Sequence, residues 1–296
     1  MKFFQNYKHH ERYANKLWIT ELSTYTYIPD GTLTPEELVT EAKKAGLAAF
    51  ALTDHDTCQG VGKAMPCAVS AGIELIPGIE LSTDYHGKEV HIVGLYIDTE
   101  NDELLSKTAE YRKCRSERNA LMVEALQKEG LSITMEELVA ENPDCVITRA
   151  NIARFLYEHG QIKSVREAFD RYIGDYCKCY VGRLKVSSSD AVRLIKEAGG
   201  TAILAHPLLY GLSNTNLQKM IDELKSAGLD GLEAIYSTYT TGEEQQMKRL
   251  AKENGLLISG GSDFHGSNKP DIALGRGRGH LYIPYSVLTD IKNHRF

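Results

Sequence analysis

Apolar residues along this chain fall first at helical spacing, then in short unbroken runs, and then stop at polar side chains. The cycle occurs five times. PEELVTEAKKAG, with Leu38, Ala42 and Ala45 on one face, leads into LAAFAL and then Thr53-Asp54-His55-Asp56. GKAMPCAVSAG leads into IELIPG and Ile79-Glu80, and SDAVRLIKEAGG leads into TAILA and His206-Pro207. LQKMIDELKSAG, with Leu217, Ile221 and Leu224 in register, leads into LDGLEAIY and Ser237. The last unit is EEQQMKRLAKENG, LLISGG and Ser262-Asp263-Phe264-His265. Pro35 stands near the start of the first helix and Gly46 just past its end, and Gly72, Gly199, Gly228 and Gly255 repeat the stop. Short runs that are apolar on both faces suit parallel strands covered by helices. Alternation of helix and strand with right-handed crossovers predicts a parallel sheet or barrel.

The stretch from about 101 to 176 breaks the rhythm. NDELLSKTAEYRKCRSERNALMVEALQKEG predicts one long charged helix ending at Gly130, and TMEELVAEN, RANIARFLYEHG and SVREAFDRYIG predict three shorter ones. An all-helical insertion between two strands has two readings of equal standing: a structural lid or oligomerisation arm, and a cap that selects substrate.

Composition narrows the class. The 296 residues are 42% hydrophobic and 25% charged, a globular mixture large enough for one large domain or two modest ones. With 34 Lys and Arg against 40 Asp and Glu, the net charge of −6 disfavours non-specific binding to duplex DNA or an anionic membrane. No apolar run approaches the roughly 18 residues of a membrane span, and MKFFQNYKHHERYANKLW lacks the apolar stretch of a secretory signal. The six Cys match no zinc-ribbon spacing, so Cys177-Lys178-Cys179 reads first as ordinary thiols and the compartment as the cytoplasm.

The ten His change the picture. In a parallel barrel the C-terminal strand ends share one face, where active sites form. His55, His206 and His265 follow predicted strands, and His91 falls at a strand start after Glu80. If the barrel closes, His55, Glu80, His91, His206, Asp263 and His265 converge on one mouth. Imidazole and carboxylate donors suit Mn, Fe or Zn, and several such ligands imply more than one ion.

ALTDHDT, IPGIELS, VHIVGLYID, AILAHP and SGGSDFHG, in this order, resemble the successive motifs of the PHP (polymerase and histidinol phosphatase) superfamily of metallo-phosphoesterases. ITRANIARFL, VREAFDRYIG and AVRLIKEAGGTAILAHP resemble its subgroup of nucleoside 3′,5′-bisphosphate phosphatases and 5′→3′ exoribonucleases. The resemblance implies an α/β fold, a distorted (β/α)7 barrel with an all-helical insertion. The expected organisation is an atypical extension over 1–18, the barrel over 19–100 and 177–296, and the insertion over 101–176. It also implies two to three divalent ions, Mn first and Fe, Zn or Mg as alternatives. Asp30, His55 and His265 would hold one ion, and Glu80, His91 and His206 a second. A third would need Glu80, Asp263 and two His of an opening His-x-His. At those two positions this chain has Ser23 and Tyr25, whose hydroxyls are weak ligands at neutral pH.

By the same resemblance, His206, Asp263 and His265 are the expected catalytic residues. Arg149 resembles a phosphate contact of the subgroup, since a guanidinium forks two phosphate oxygens; the alternative is a salt bridge on the helix surface with a nearby Glu or Asp. Arg276, in the basic Gly-rich GRGRGH, is a second candidate. The expected activity is hydrolysis of phosphate from a small nucleotide or a short 5′-phosphorylated RNA, weakened by the loss of the two His. The alternative is a degenerate relative that binds metal or nucleotide without efficient turnover. The insertion argues against a histidinol phosphatase. The expected state is a monomer or homodimer with no duplex DNA or membrane partner.

Overall fold

The computed structural model describes residues 31–142, 146–182 and 186–295 in full and residues 20–24 by their backbone. Asp30, Tyr25 and the extension over 1–18 lie outside the described residues, as does the side chain of Ser23. Seven strands form one sheet in chain order. They are β1 (Thr20–Thr24), β2 (Ala49–Leu52), β3 (Glu74–Tyr85), β4 (Lys88–Leu95), β5 (Thr201–Leu204), β6 (Gly231–Tyr236) and β7 (Leu257–Gly261). β1 and β7 also lie side by side, so the sheet curls towards a ring. Helices α1 (Pro35–Ala45), α2 (Gln59–Ala71), α7 (Ser188–Glu197), α8 (Asn214–Ala227) and α9 (Thr241–Glu253) cover its outer face, and α10 (Tyr285–His294) follows β7. The fold is the expected α/β barrel of seven strands.

One expectation is corrected. The sheet is not all parallel: β4 runs antiparallel to both β3 and β5, while the remaining pairs are parallel. β3 and β4 form a hairpin turned at His86-Gly87, both with positive φ. His91 therefore sits in mid-strand opposite Ser82, not at a strand start.

The elements follow from local chemistry. Thr34 caps α1 in a reciprocal box with Glu37, Pro35 occupies the first turn, and Gly46 ends the helix at φ 77°. Leu38 and Ala42 are fully buried against the outer face of the sheet. Period-two alternation divides each strand. Phe50 and Leu52 face the helices, while Ala49, Ala51, Val93, Ile203 and Ala205 fill the barrel interior. Leu288 and Ile291 of α10 complete that interior core. Gly78 lets β3 approach β2, since a Cβ there would lie 2.8 Å from the Leu52 carbonyl.

Between β4 and β5 come α3 (Asp102–Lys128), α4 (Met135–Glu141), α5 (Arg149–Glu158) and α6 (Val165–Ala168), which runs into a π-helical turn, Phe169–Ile173. These helices bury their own core, built on Met122, Leu126, Ile152, Leu156 and Ile173 and reaching Cys179. No helix among the described residues is long and apolar enough to cross a membrane.

Candidate metal centre and phosphate cleft

Strand register creates the site. In the β3–β4 ladder, Ser82 faces His91 and Glu80 faces Val93. Directly opposed residues share a sheet face, so Glu80 and His91 are diagonal neighbours pointing into the barrel. His55 follows β2 on the same inward parity as Ala49 and Ala51, and its backbone bridges to Glu80. His206 follows β5 with φ 28° and Asp263 follows β7 with φ 58°, left-handed conformations that bend both residues out of strand alternation. His206 N–H donates to Glu233 Oε2 at 2.9 Å, which helps hold that bend.

Glu80 is fully buried at the centre. Its Oε1 lies 2.9 Å from His91 Nδ1 and 3.4 Å from His206 Nε2, and its Oε2 lies 3.8 Å from His55 Nδ1. Neither oxygen receives a hydrogen bond of normal direction, and His206 Nδ1 is likewise buried without one. Burial raises the Glu80 carboxyl, but the adjoining His91 and His206 outweigh it and hold the group at about 2. Burial lowers His91, but Glu80 and then Glu89 push it up to about 9. An ionised buried carboxylate surrounded by imidazole nitrogens is a cation site by its chemistry. His55, Glu80 and His91 each offer a ligand atom within 4.8 Å of the others, so these residues fit a divalent ion.

The structure thus groups His55 with Glu80 and His91. Imidazole rings continue the cluster: His91 to His206 is 5.2 Å and His55 to His265 is 6.2 Å between centroids. His265 is oriented by its own turn, with Nδ1 2.8 Å from the Asp263 carbonyl. Ser267 N–H donates to Thr32 Oγ1 at 2.9 Å, tying the segment just after Asp30 to the loop that carries His265. The Asp263 carboxylate turns elsewhere. Its Oδ2 accepts from the Tyr236 hydroxyl at 2.6 Å and lies 2.5 Å from Lys269 Nζ.

Beside the cluster opens a cleft of about 200 Å³, lined among others by His55, His91, His265, Arg118, Arg149 and Lys269. Arg149, in the first turn of α5, reaches across from the helical layer to Glu89 Oε2 at 2.9 Å and is held from behind by Asp175 at 2.8 Å. Glu89 also lies 3.3 Å from His91 Nε2, so one carboxylate couples the metal group to the guanidinium. Arg276 is exposed on its loop and does not line this cleft. Within that loop the Arg276, Gly277 and Gly279 N–H groups are taken by internal carbonyls.

Several residues escaped sequence reasoning. Glu89 stands two positions before His91, so strand alternation could have placed it on the same face. Asp56 of the TDHD run pairs with buried Arg115 of α3, and Arg115 also donates to Ser82 Oγ at 3.1 Å. No spacing in the sequence signals that long-range pair, or the place of Arg118 in the cleft.

A curled α/β sheet that gathers His55, His91 and His206 around the buried Glu80 carboxylate, with His265 beside His55, defines a metal-dependent hydrolase of the barrel type. Residues 22–180 match the PHP domain. Over 245 residues the chain is 36% identical to a 5′-3′ exoribonuclease of Haemophilus influenzae, covering 83% of this chain and 89% of the relative. It is 32% identical to a 3′,5′-nucleoside bisphosphate phosphatase of Chromobacterium violaceum, covering 88% and 90%. Among solved structures, a C. violaceum amidohydrolase with bound sulfate superposes with TM-score 0.83 at 30% identity, covering 93% of this chain and 96% of that one. A Bifidobacterium adolescentis protein, provisionally named a metal-dependent phosphoesterase, superposes with TM-score 0.81 at 29% identity, with the same coverage. The chain belongs to the PHP family, and it is a hydrolase of phosphoric esters.

Proposed function

We propose that this protein removes phosphate from a small nucleotide of the nucleoside 3′,5′-bisphosphate type, or trims short 5′-phosphorylated RNA, in the cytoplasm as a monomer or homodimer. The observation that carries this reading is the single cleft joining the His55–Glu80–His91 group to Arg149. The names of the relatives from H. influenzae and C. violaceum support the two substrate classes.

His55, Glu80, His91 and His206 would hold divalent metal, Mn first, with His265 and Asp30 toward a second ion. A bound divalent ion polarises a phosphoryl oxygen and lowers the pKa of a coordinated water. Arg149 would fork the phosphate, its guanidinium already aimed by Glu89 and Asp175. His206, His265 and Asp263 remain the proposed catalytic groups at the reacting end. The insertion over 101–176 acts in this reading as a substrate-selecting cap, because α3 and α5 send Arg118 and Arg149 into the cleft. The cleft's size favours a nucleotide or a chain end over a duplex.

A second reading, a metal- or nucleotide-binding protein with weak turnover, draws on Ser23 and Tyr25 at the two His positions. One experiment separates them. Chelator-stripped protein is reloaded with Mn and given adenosine 3′,5′-bisphosphate, a short 5′-phosphorylated RNA and p-nitrophenyl phosphate. Preferential phosphate or nucleotide release from one of the first two is expected. Tight nucleotide binding with no release would establish the second reading. Replacing Ser23 and Tyr25 with His is expected to raise the rate once Mn is high enough to fill the added site.

A further inference from the structure

Asp263 is buried, and its carboxylate is already engaged. The Tyr236 hydroxyl donates to Oδ2 at 2.6 Å, Lys269 Nζ lies 2.5 Å from the same oxygen, and His265 Nδ1 is 3.5 Å from Oδ1. Burial pushes this carboxyl up, but Lys269, then His265 and His206, hold it well below the usual carboxylate range. Asp263 is not part of the group whose ligand atoms lie within 4.8 Å of one another.

The resemblance noted above assigns Asp263, with Glu80 and two His, to a further ion. Here those two positions are Ser23 and Tyr25. A serine hydroxyl, a neutral phenol and a carboxylate already paired with an ammonium do not fit a divalent ion. A buried carboxylate nonetheless requires a counter-charge, because an unpaired one is strongly disfavoured. Lys269 can supply it. It follows a short turn, Gly266–Asn268, directly after the SDFH segment, and its flexible stem brings a compact +1 charge to the cleft wall.

Resting on the PHP reading, we propose that Lys269 is a built-in cation that takes the electrostatic place of the further divalent ion at Asp263. Its ammonium neutralises the carboxylate and, with the Tyr236 hydroxyl, fixes the carboxylate's orientation at the cleft. Lys269 is thus a positioning residue. An ammonium carries half the charge of a divalent ion and opens no coordination position to substrate. Lys269 and a divalent ion at this corner are therefore mutually exclusive.

The test counts bound Mn and needs no turnover. Full-length wild type, K269Q, K269R, S23H/Y25H and S23H/Y25H/K269Q are stripped with chelator, titrated with MnCl2, and assayed for Mn per chain. K269Q is expected to bind as many ions as wild type. The triple variant is expected to bind one more. S23H/Y25H with Lys269 intact is expected to bind that ion only at Mn concentrations about tenfold higher or more. In melting curves of the metal-free chain, K269Q is expected to lower Tm, and K269R to recover most of the loss. Equal Mn affinity in the double and triple variants would overturn the proposal, as would no additional ion in either. An unchanged Tm in K269Q would also overturn it. If wild type releases no phosphate while the Mn counts follow expectation, the phosphatase reading fails and the role of Lys269 stands.

Discussion

His91 is the residue through which pH should be felt most directly. Its folded value is raised from 6.5 to about 9 by Glu80 and Glu89, against burial. The His91–Glu80 contribution is therefore fully present below about 6.5 and is lost as pH rises through about 9. Glu80 is lowered from 4.5 to about 2, so its contribution is present above about 4.5 and lost as pH falls through about 2. Chelator-treated protein should show this pair's largest contribution between about pH 4.5 and 6.5, read from Tm against pH. The same shift makes metal compete with a proton, since an imidazole ligand must be neutral. Apparent Mn affinity should rise roughly tenfold per pH unit from 6.5 to about 9, with proton release visible by calorimetry in buffers of different ionisation enthalpy. An affinity flat over that range would show that no proton is displaced from His91 on binding, and the coupling of metal to its protonation would fail.

At the scale of elements, a buried ion pair fastens α3 to the barrel beside the packing of Leu104 into the barrel core. Arg115 Nε lies 3.2 Å from Asp56 Oδ2, Asp56 Oδ1 accepts from Ser82 N–H at 3.0 Å, and Arg112 donates to the Asp56 carbonyl at 2.7 Å. This network fastens the loop carrying His55 both to β3 and to the helical layer. Arg115→Met leaves a buried carboxylate without its partner and should cost about 3–5 kcal/mol by chemical denaturation. Arg115→Met combined with Asp56→Asn should recover part of that loss. If the single change costs less than about 1 kcal/mol, the pair does not hold the two layers together. The element order of α3 to α6 could be read from helical periodicity, but the contact that positions them could not. Arg115 and Asp56 are 59 residues apart, and nothing local in either segment marks the other.

For the whole molecule, the barrel needs its floor. Ala49, Ala51 and Ala205 are small, and the interior is completed from below by Leu281, Ile283, Leu288 and Ile291. Leu288 has no exposed surface, so Leu288→Ala should cost about 2–5 kcal/mol, measured by denaturant midpoint, while bound Mn per chain stays unchanged. Loss of Mn binding in a folded Leu288→Ala protein would instead mean that the floor sets the ligand geometry.

Local pattern along the chain marks the alternation of helix and strand, the helix stops, the inserted helical layer and the polar residues after most strands. These features are local: apolar period, caps and left-handed glycines act within a few residues. That is why His55, His206 and His265 were legible as residues after strands, whereas Glu80, which the same pattern put after a strand, lies within β3. Packing and register set the rest. The antiparallel course of β4 aligned His91 with Glu80 through register. The pairing of β6 with β7 brought Asp263 to Tyr236, and the turn after it brought Lys269 to the same carboxylate. The packing of α5 over the mouth carried Arg149 to Glu89. These placements are set by strand register, burial of shared apolar faces and the pairing of buried charge, not by spacing along the chain alone.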